Sequence, residues 1–391
     1  MKNRTAIVVQ RCHSDVVGGS EALAWSYAQL LAPHVPVEVL TTSTTDAVTW
    51  ENNLPPGTTA AQGVTLKRYP VTVGRSDYWH NMHRQLLSIL EQGPLAPDSL
   101  TIGLQHEFVR HQGPHSEKLL ADLERNWDRY HRVLFITYLY SPTFFGSLQQ
   151  PDLGKAWLVP TLHDEPVAQL PVWRDAYRRF GSRLIWLTDA ERKVGRRLWD
   201  SAAGHVVGMP VAKPQVPARA PEQPPYFFYC GRIDEHKGCK RLVKWFADYR
   251  RRHGGAAELR LAGTLAMAEP SQAGVKYLGR LTTEALQQQL AGATGFILPS
   301  RWESFSIALL EAMSLSVPCL VDGACEVTVD HLTQGSAGFA YRSQQEFDEG
   351  ITALLELPAT ARAASQGAQY VARNYAPDVV ADRLQTILAL A

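Results

Sequence analysis

Short apolar runs alternate along the chain with segments whose apolar positions recur every three or four residues. The runs at 5–10, 36–41, 100–104, 133–137, 156–159 and 184–187 predict buried strands. Segments such as 21–32 and 117–130, lying between some of these runs, predict helices. Strand followed by helix, repeated, predicts parallel sheets covered on both faces. The segment 211–225 breaks this rhythm, with five prolines in fifteen residues and no apolar period, as expected of an extended connection between domains. A second series follows, with strands expected at 226–230, 259–262, 275–278, 295–298 and 319–321. The pattern is α/β: two Rossmann-like βαβ domains, 1–210 and 211–376. A last helix at about 377–391 is a candidate to pack back on the first domain.

Length agrees with two domains, since 391 residues exceed one ordinary core. A hydrophobic fraction of 45% and a charged fraction of 20% are ordinary globular values. The net charge of +1 gives no support for a nucleic-acid partner, which calls for a clear basic excess. The five cysteines, Cys12, Cys230, Cys239, Cys319 and Cys325, are scattered without metal-ligand spacing, and reduced thiols in a cytoplasm are the simple expectation. The apolar run 6–9 is too short for a signal peptide, and no stretch approaches the ~20 apolar residues of a membrane span.

Ligands of open α/β sheets sit outside the carboxyl ends of the strands, so candidate chemistry is sought in the loops that follow them. After the strand ending at Cys230, Gly231 permits a tight turn, Arg232 and Lys237 supply two cations, and Gly238 precedes an amphipathic helix. Cations beside a helix N-terminus suit a diphosphate, although alone the loop is equally well a solvated turn. After the strand ending at Leu298, the loop carries Glu303, and an apolar-periodic helix is expected from about Ser304–Ser306. Backbone N–H groups of Ser304, Phe305, Ser306 and Ile307 would face phosphate oxygens, and an ionised Glu311 would accept hydrogen bonds from the vicinal diol of a ribose. In the first half, Gly18 and Gly19 precede a helix for which Ser20 is the expected N-cap, and the pair could serve that turn alone. His163 follows a buried strand and projects from its carboxyl end, where a purely structural histidine is the alternative; whether Asp164 and Glu165 orient it or read a second substrate stays open.

Taken together, Gly231-Arg232 with Lys237-Gly238, and Glu303 eight positions before Glu311-Ala312-Met313, resemble the retaining GT-B-fold glycosyltransferases of family four, also grouped as glycosyl transferases group 1. The likeness covers nearly the whole chain, from the Gly18-Gly19 loop onward. It implies two domains facing a central cleft and a nucleotide-diphosphate sugar bound mainly by the second half. It also implies a hydroxyl-bearing acceptor, whether saccharide, small molecule or lipid-linked glycan. By the same resemblance Arg232 and Lys237 hold the diphosphate, Glu311 the ribose, and Glu303 the donor sugar. Gly18 and Gly19 lie against donor phosphates and acceptor, and His163 contacts the sugar. No cofactor is expected, and the departing phosphate is expected to take the acceptor proton in place of a protein base. One departure is Glu303-Ser304-Phe305-Ser306, where the family often has glycines after the glutamate.

A metal is not expected, because no Asp-x-Asp pair and no His/Cys cluster occurs, and cations with helix N-termini could neutralise the leaving group. The segment 67–84 mixes cations with Tyr69, Tyr78 and Trp79; it offers contact with an acceptor or an anionic membrane, a solvated loop being the simpler expectation. A dinucleotide-dependent oxidoreductase is disfavoured, since Gly18-Gly19 comes late after the first strand and Thr41-Thr42-Ser43 stands where an acid belongs. A sugar-nucleotide epimerase of the same fold and a non-catalytic sugar-nucleotide binder remain as alternatives. Neither the base (UDP, GDP, ADP or dTDP) nor the sugar is legible.

Overall fold

The computed structural model describes residues 4–13, 18–91, 99–212, 214–216, 224–357 and 366–389. Within the proline-rich segment 211–225, positions 213 and 217–223 lie outside the described residues, as do 390–391 of the last expected helix. The chain divides into two compact units, Met1–Pro210 with Val380–Ala391, and Val211–Val379.

In the first unit, β1 (Arg4–Val9), α1 (Gly19–Leu31), β2 (Val37–Thr42), β3 (Gly57–Ala61) and β4 (Val64–Tyr69) are followed by α2 (Asp77–Leu90), α3 (Ile102–Gln112) and α4 (Glu117–Asn126). Next come β5 (Tyr130–Ile136), α5 (Ser141–Leu148), β6 (Ala156–Val159), α6 (Pro171–Tyr177), β7 (Ile185–Trp186), α7 (Asp189–Trp199) and β8 (His205–Val206). The main sheet runs β3-β4-β2-β1-β5-β6, with every pairing parallel except β3 against β4. β1 is the innermost apolar run, with Ala6–Val9 fully buried, because a parallel strand covered on both faces has no polar side.

The second unit contains β9 (Tyr226–Cys230), α8 (Cys239–His253), β10 (Glu258–Ala262), β11 (Val275–Tyr277), α9 (Thr283–Gly292), β12 (Gly295–Leu298) and α10 (Ile307–Ser314). It continues through β13 (Cys319–Asp322), α11 (Glu326–Gly335), β14 (Gly338–Tyr341), α12 (Gln344–Glu356) and α13 (Gly367–Tyr375), and α14 (Pro377–Leu388) ends the order. Its six strands are all parallel in the order β11-β10-β9-β12-β13-β14, the doubly wound arrangement that reverses direction between β9 and β12. The far end of α14 belongs to the first unit: Arg132 Nε donates to the Leu388 carbonyl at 2.9 Å.

Three local expectations are corrected. The run 100–104 is no strand: the Thr101 side chain accepts from Leu104 N at 3.3 Å and caps α3. Burial there follows a helical period through Gln105, Phe108, Val109 and Gln112, while Ile102 is 53% exposed. The segment 67–84 is not a loop, since it holds the end of β4 and the first turns of α2, whose Trp79, Met82, Leu86 and Leu90 are buried at helical spacing. Its cations concealed the pattern; Lys67, for example, pairs with buried Glu38 at 2.7 Å. Finally, helix 117–130 stops at Asn126, and Tyr130 already belongs to β5.

Candidate active site

The direction of winding in the second unit leaves a crevice beyond the carboxyl ends of β9 and β12, because the connections from these two strands leave on opposite sides of the sheet. The two loops singled out by sequence are the ones that follow these strands. The first is organised by Asp234. One of its carboxylate oxygens accepts from Lys237 N at 2.6 Å and the other pairs with Arg232 Nε, so a single carboxylate shapes the turn and steadies one cation. Arg232 is solvent-exposed, and its carbonyl accepts from Tyr229 Oη at 2.7 Å. Gly238 has φ +78, and a Cβ there would meet the Pro299 carbonyl oxygen at 2.4 Å. Only glycine lets this loop lie directly on the one that follows β12.

Across that contact, Lys237 Nζ reaches Glu303 Oε1 at 2.8 Å, with the two side chains 27% and 14% exposed. His236 stacks on Trp302 with ring centroids 4.9 Å apart, a second bridge between the same loops. Ser304 and Phe305 are buried, and Ser306 takes the left-handed conformation (φ +66) as N-cap of α10. The helix therefore starts at Ile307, later than the sequence pattern indicates, and Glu311 falls in its second turn. The Glu311 side chain is half-buried and has no side-chain hydrogen bond or ion pair among the described residues. Burial alone pushes its carboxyl up to about 7, and its charge in turn helps to raise the buried Cys230 thiol at the end of β9. Arg232, Lys237, Glu303, the stretch Ser304–Ile307 and Glu311 thus lie on the loops and helix that follow β9 and β12, where Lys237 and Glu303 meet.

The first unit carries Gly18, Gly19 and His163. Gly18, and not Ser20, is the N-cap of α1, in extended conformation with no side-chain cap. A Cβ on Gly18 would stand 2.1 Å from Glu21 Oε2, whereas at Gly19 it would meet open space. Glu21 is buried and accepts from Arg11 Nε at 2.9 Å, from Gln10 Nε2 at 3.1 Å and from Ser20 Oγ at 3.0 Å. The buried Arg11–Glu21 pair was not anticipated, because nothing in a single sequence couples a cation after β1 to an acid inside α1. His163 follows β6 with its side chain 30% exposed, and its Nδ1 lies 3.6 Å from Glu165 Oε1. Glu165 Oε1 also accepts from Tyr138 Oη at 2.7 Å, whereas Asp164 turns away to Arg197 at 2.7 Å. Of the two acids, Glu165 is the one set against His163.

Among the described residues no group of three or more His, Cys, Asp or Glu side chains is gathered as metal ligands would be, and no helix is long and apolar enough to cross a membrane.

Residues 214–371 match the family model of glycosyl transferases group 1. The lipopolysaccharide 1,6-galactosyltransferase of Salmonella typhimurium is 31% identical over 137 residues, which is 32% of this chain and 38% of that relative. The match thus spans well under half the length of that curated relative. Sucrose-phosphate synthase from Thermosynechococcus elongatus superposes over 99% of this chain and 98% of its own, with TM-score 0.69 and 15% identity. Anabaena HepE in complex with UDP and glucose superposes over 100% of both chains, with TM-score 0.64 and 13% identity. At these identities the two structural likenesses concern the fold. Most of the second unit thus resembles the glycosyl transferases group 1 family, on a chain that shares the two-domain GT-B fold with these solved structures.

Proposed function

We propose that the protein is a retaining glycosyltransferase that moves a sugar from a nucleotide-diphosphate sugar to an acceptor hydroxyl without a metal ion. The observation that carries this is the 2.8 Å contact between Lys237 and Glu303 at the carboxyl ends of β9 and β12. It sets a diphosphate-type cation beside a carboxylate suited to a sugar, on loops from the two strands between which the winding reverses. The Salmonella relative, named as a galactosyltransferase, supports hexosyl transfer to a saccharide, and the UDP complex of the Anabaena neighbour makes UDP the first nucleotide to test.

In this reading Arg232, Lys237 and the N–H groups opening α10 bind the diphosphate and offset the charge that grows on it as the glycosidic bond breaks. Binding draws Lys237 towards the phosphates and leaves the Glu303 carboxylate to face the positive charge developing on the sugar. Glu311 holds the ribose hydroxyls. The acceptor attacks from the face the diphosphate leaves, and a phosphate oxygen takes its proton, so the anomeric configuration is kept. Gly18, Gly19 and His163 are assigned to the acceptor side and sugar. A thermal-shift screen of UDP, GDP, ADP and dTDP identifies the base. Incubating the corresponding sugar nucleotides with saccharide acceptors in excess EDTA is then expected to release nucleoside diphosphate at an undiminished rate, with the donor's anomeric configuration in the product by NMR. Loss of activity on chelation, an inverted product, or an epimerised donor without acceptor consumption would each contradict it.

A further inference from the structure

The loop that bears Glu303 is held from behind by a buried histidine. His331 lies on α11, is fully buried, and uses both ring nitrogens: Nε2 lies 3.0 Å from the Phe305 carbonyl oxygen and Nδ1 lies 2.8 Å from Tyr370 Oη. A carbonyl oxygen can only accept, so Nε2 carries the proton and donates to it, while Nδ1 accepts from the tyrosine hydroxyl. Burial holds the ring well below the usual histidine range, at about 4, which keeps this neutral tautomer in place at ordinary pH. Phe305 packs edge-on against His331 (centroids 5.8 Å, 90°) and Tyr375 (4.9 Å, 89°), and Tyr370 Oη also lies 3.2 Å from Tyr375 Oη.

The consequence lies one atom further along the chain. In a trans peptide the carbonyl and the following N–H point in opposite directions. With the Phe305 carbonyl drawn back to His331, the N–H of Ser306 is turned away from the aromatic cluster, at the head of α10, where it has no backbone partner among the described residues. The left-handed Ser306 is a conformation that needs support from its surroundings, and the His331 hydrogen bond supplies it from the preceding peptide. We infer that His331 is a positioning residue of the donor site: it fixes the Phe305–Ser306 peptide so that the Ser306 N–H at the head of α10 is presented to the donor's phosphate oxygens. The inference rests on the donor-site reading proposed above. No sequence motif marks it, since His331 lies on a different helix from every residue of that site.

The test compares His331→Gln, His331→Leu and Tyr370→Phe with wild type by calorimetric titration of UDP, GDP, ADP and dTDP, alongside melting temperatures without nucleotide. A glutamine Nε2–H can replace the ring Nε2–H, so His331→Gln should bind the preferred nucleotide within about threefold of wild type. His331→Leu leaves the peptide unheld and should bind about tenfold more weakly, the cost of losing one such hydrogen bond from an oriented anion site. Tyr370→Phe removes the other bond of the same ring and should lower the melting temperature while affinity stays within about threefold. Affinity of folded His331→Leu within about threefold of wild type would overturn the inference, as would affinity losses in all three variants that follow only their loss of stability. If His331→Leu does not fold, the remaining pair decides, since His331→Gln binding as weakly as expected for the leucine variant would overturn it equally. A wild-type protein that binds none of the four nucleotides overturns the donor-site reading itself, and the inference with it.

Discussion

Glu303 and Glu311 carry the same group in different surroundings, one against Lys237 and the other half-buried without a charged partner. For Glu311 the fold raises the carboxyl from its ordinary value of 4.5 to about 7, so the folded protein holds a proton that the unfolded chain has released between these values. The stability contribution is therefore complete below pH 4.5 and is lost as pH rises towards 7. Glu311→Gln removes that loss and is expected to raise stability at pH 8 by about 1–3 kcal/mol in thermal unfolding without ligand. Nucleotide binding has the opposite sign, because a diol needs the ionised acceptor. Affinity of wild type should rise up to about tenfold per pH unit below 7, and Glu311→Gln should bind weakly and without that slope. A flat pH profile in wild-type titrations would show that Glu311 does not meet the nucleotide. In the proposed mechanism Glu303 faces charge that develops only during bond breaking, so Glu303→Gln should leave nucleoside diphosphate affinity intact and lower kcat by about 10²–10³. Steady-state kinetics showing only a raised KM would reverse the two assignments. Both acids were legible because each stands at a fixed place after a buried strand. The shifted proton affinity of Glu311 was not, because it depends on burial that no spacing reveals.

At the scale of elements, five of the six strands of the second unit's sheet were legible, with β9, β12 and β13 as continuous apolar runs closed by glycine, proline or a charge; β14 was not anticipated, and β10 and β11 carry Arg260 and Lys276 within them. Helices fared worse wherever polar residues interrupt the apolar period. In α2 the histidines and Arg84 surround a stripe of Trp79, Met82, Leu86 and Leu90, and in α3 the first apolar residues face outward. The turn before α10 shows why boundaries slip: Ser306 adopts φ +66, so the helix begins at Ile307 and not within Ser304–Ser306. A glycine at this position, as in the related family, is free of that strain. Ser306→Gly is accordingly expected to raise stability by about 0.5–1 kcal/mol in denaturant unfolding, with nucleoside diphosphate affinity held within about twofold. A stability loss of the same size would mean that the serine side chain contributes more than its backbone costs.

For the molecule as a whole, alternation of strands and helices revealed the α/β class and two Rossmann-like halves, but not the order of strands in either sheet. That order depends on which side each crossover takes, and it is what turns two separate loops of the second unit into one crevice. The central claim is that this crevice binds a nucleoside diphosphate through Lys237 and Arg232. Calorimetric titration of UDP, GDP, ADP and dTDP into wild type and Lys237→Ala tests it most directly, without knowledge of the acceptor. Wild type should bind one of the four clearly best, and the variant should bind that nucleotide roughly ten- to a hundredfold more weakly, the loss expected for one charge-assisted phosphate contact. Equal binding by the two proteins, or no binding of any of the four to wild type, would contradict the account.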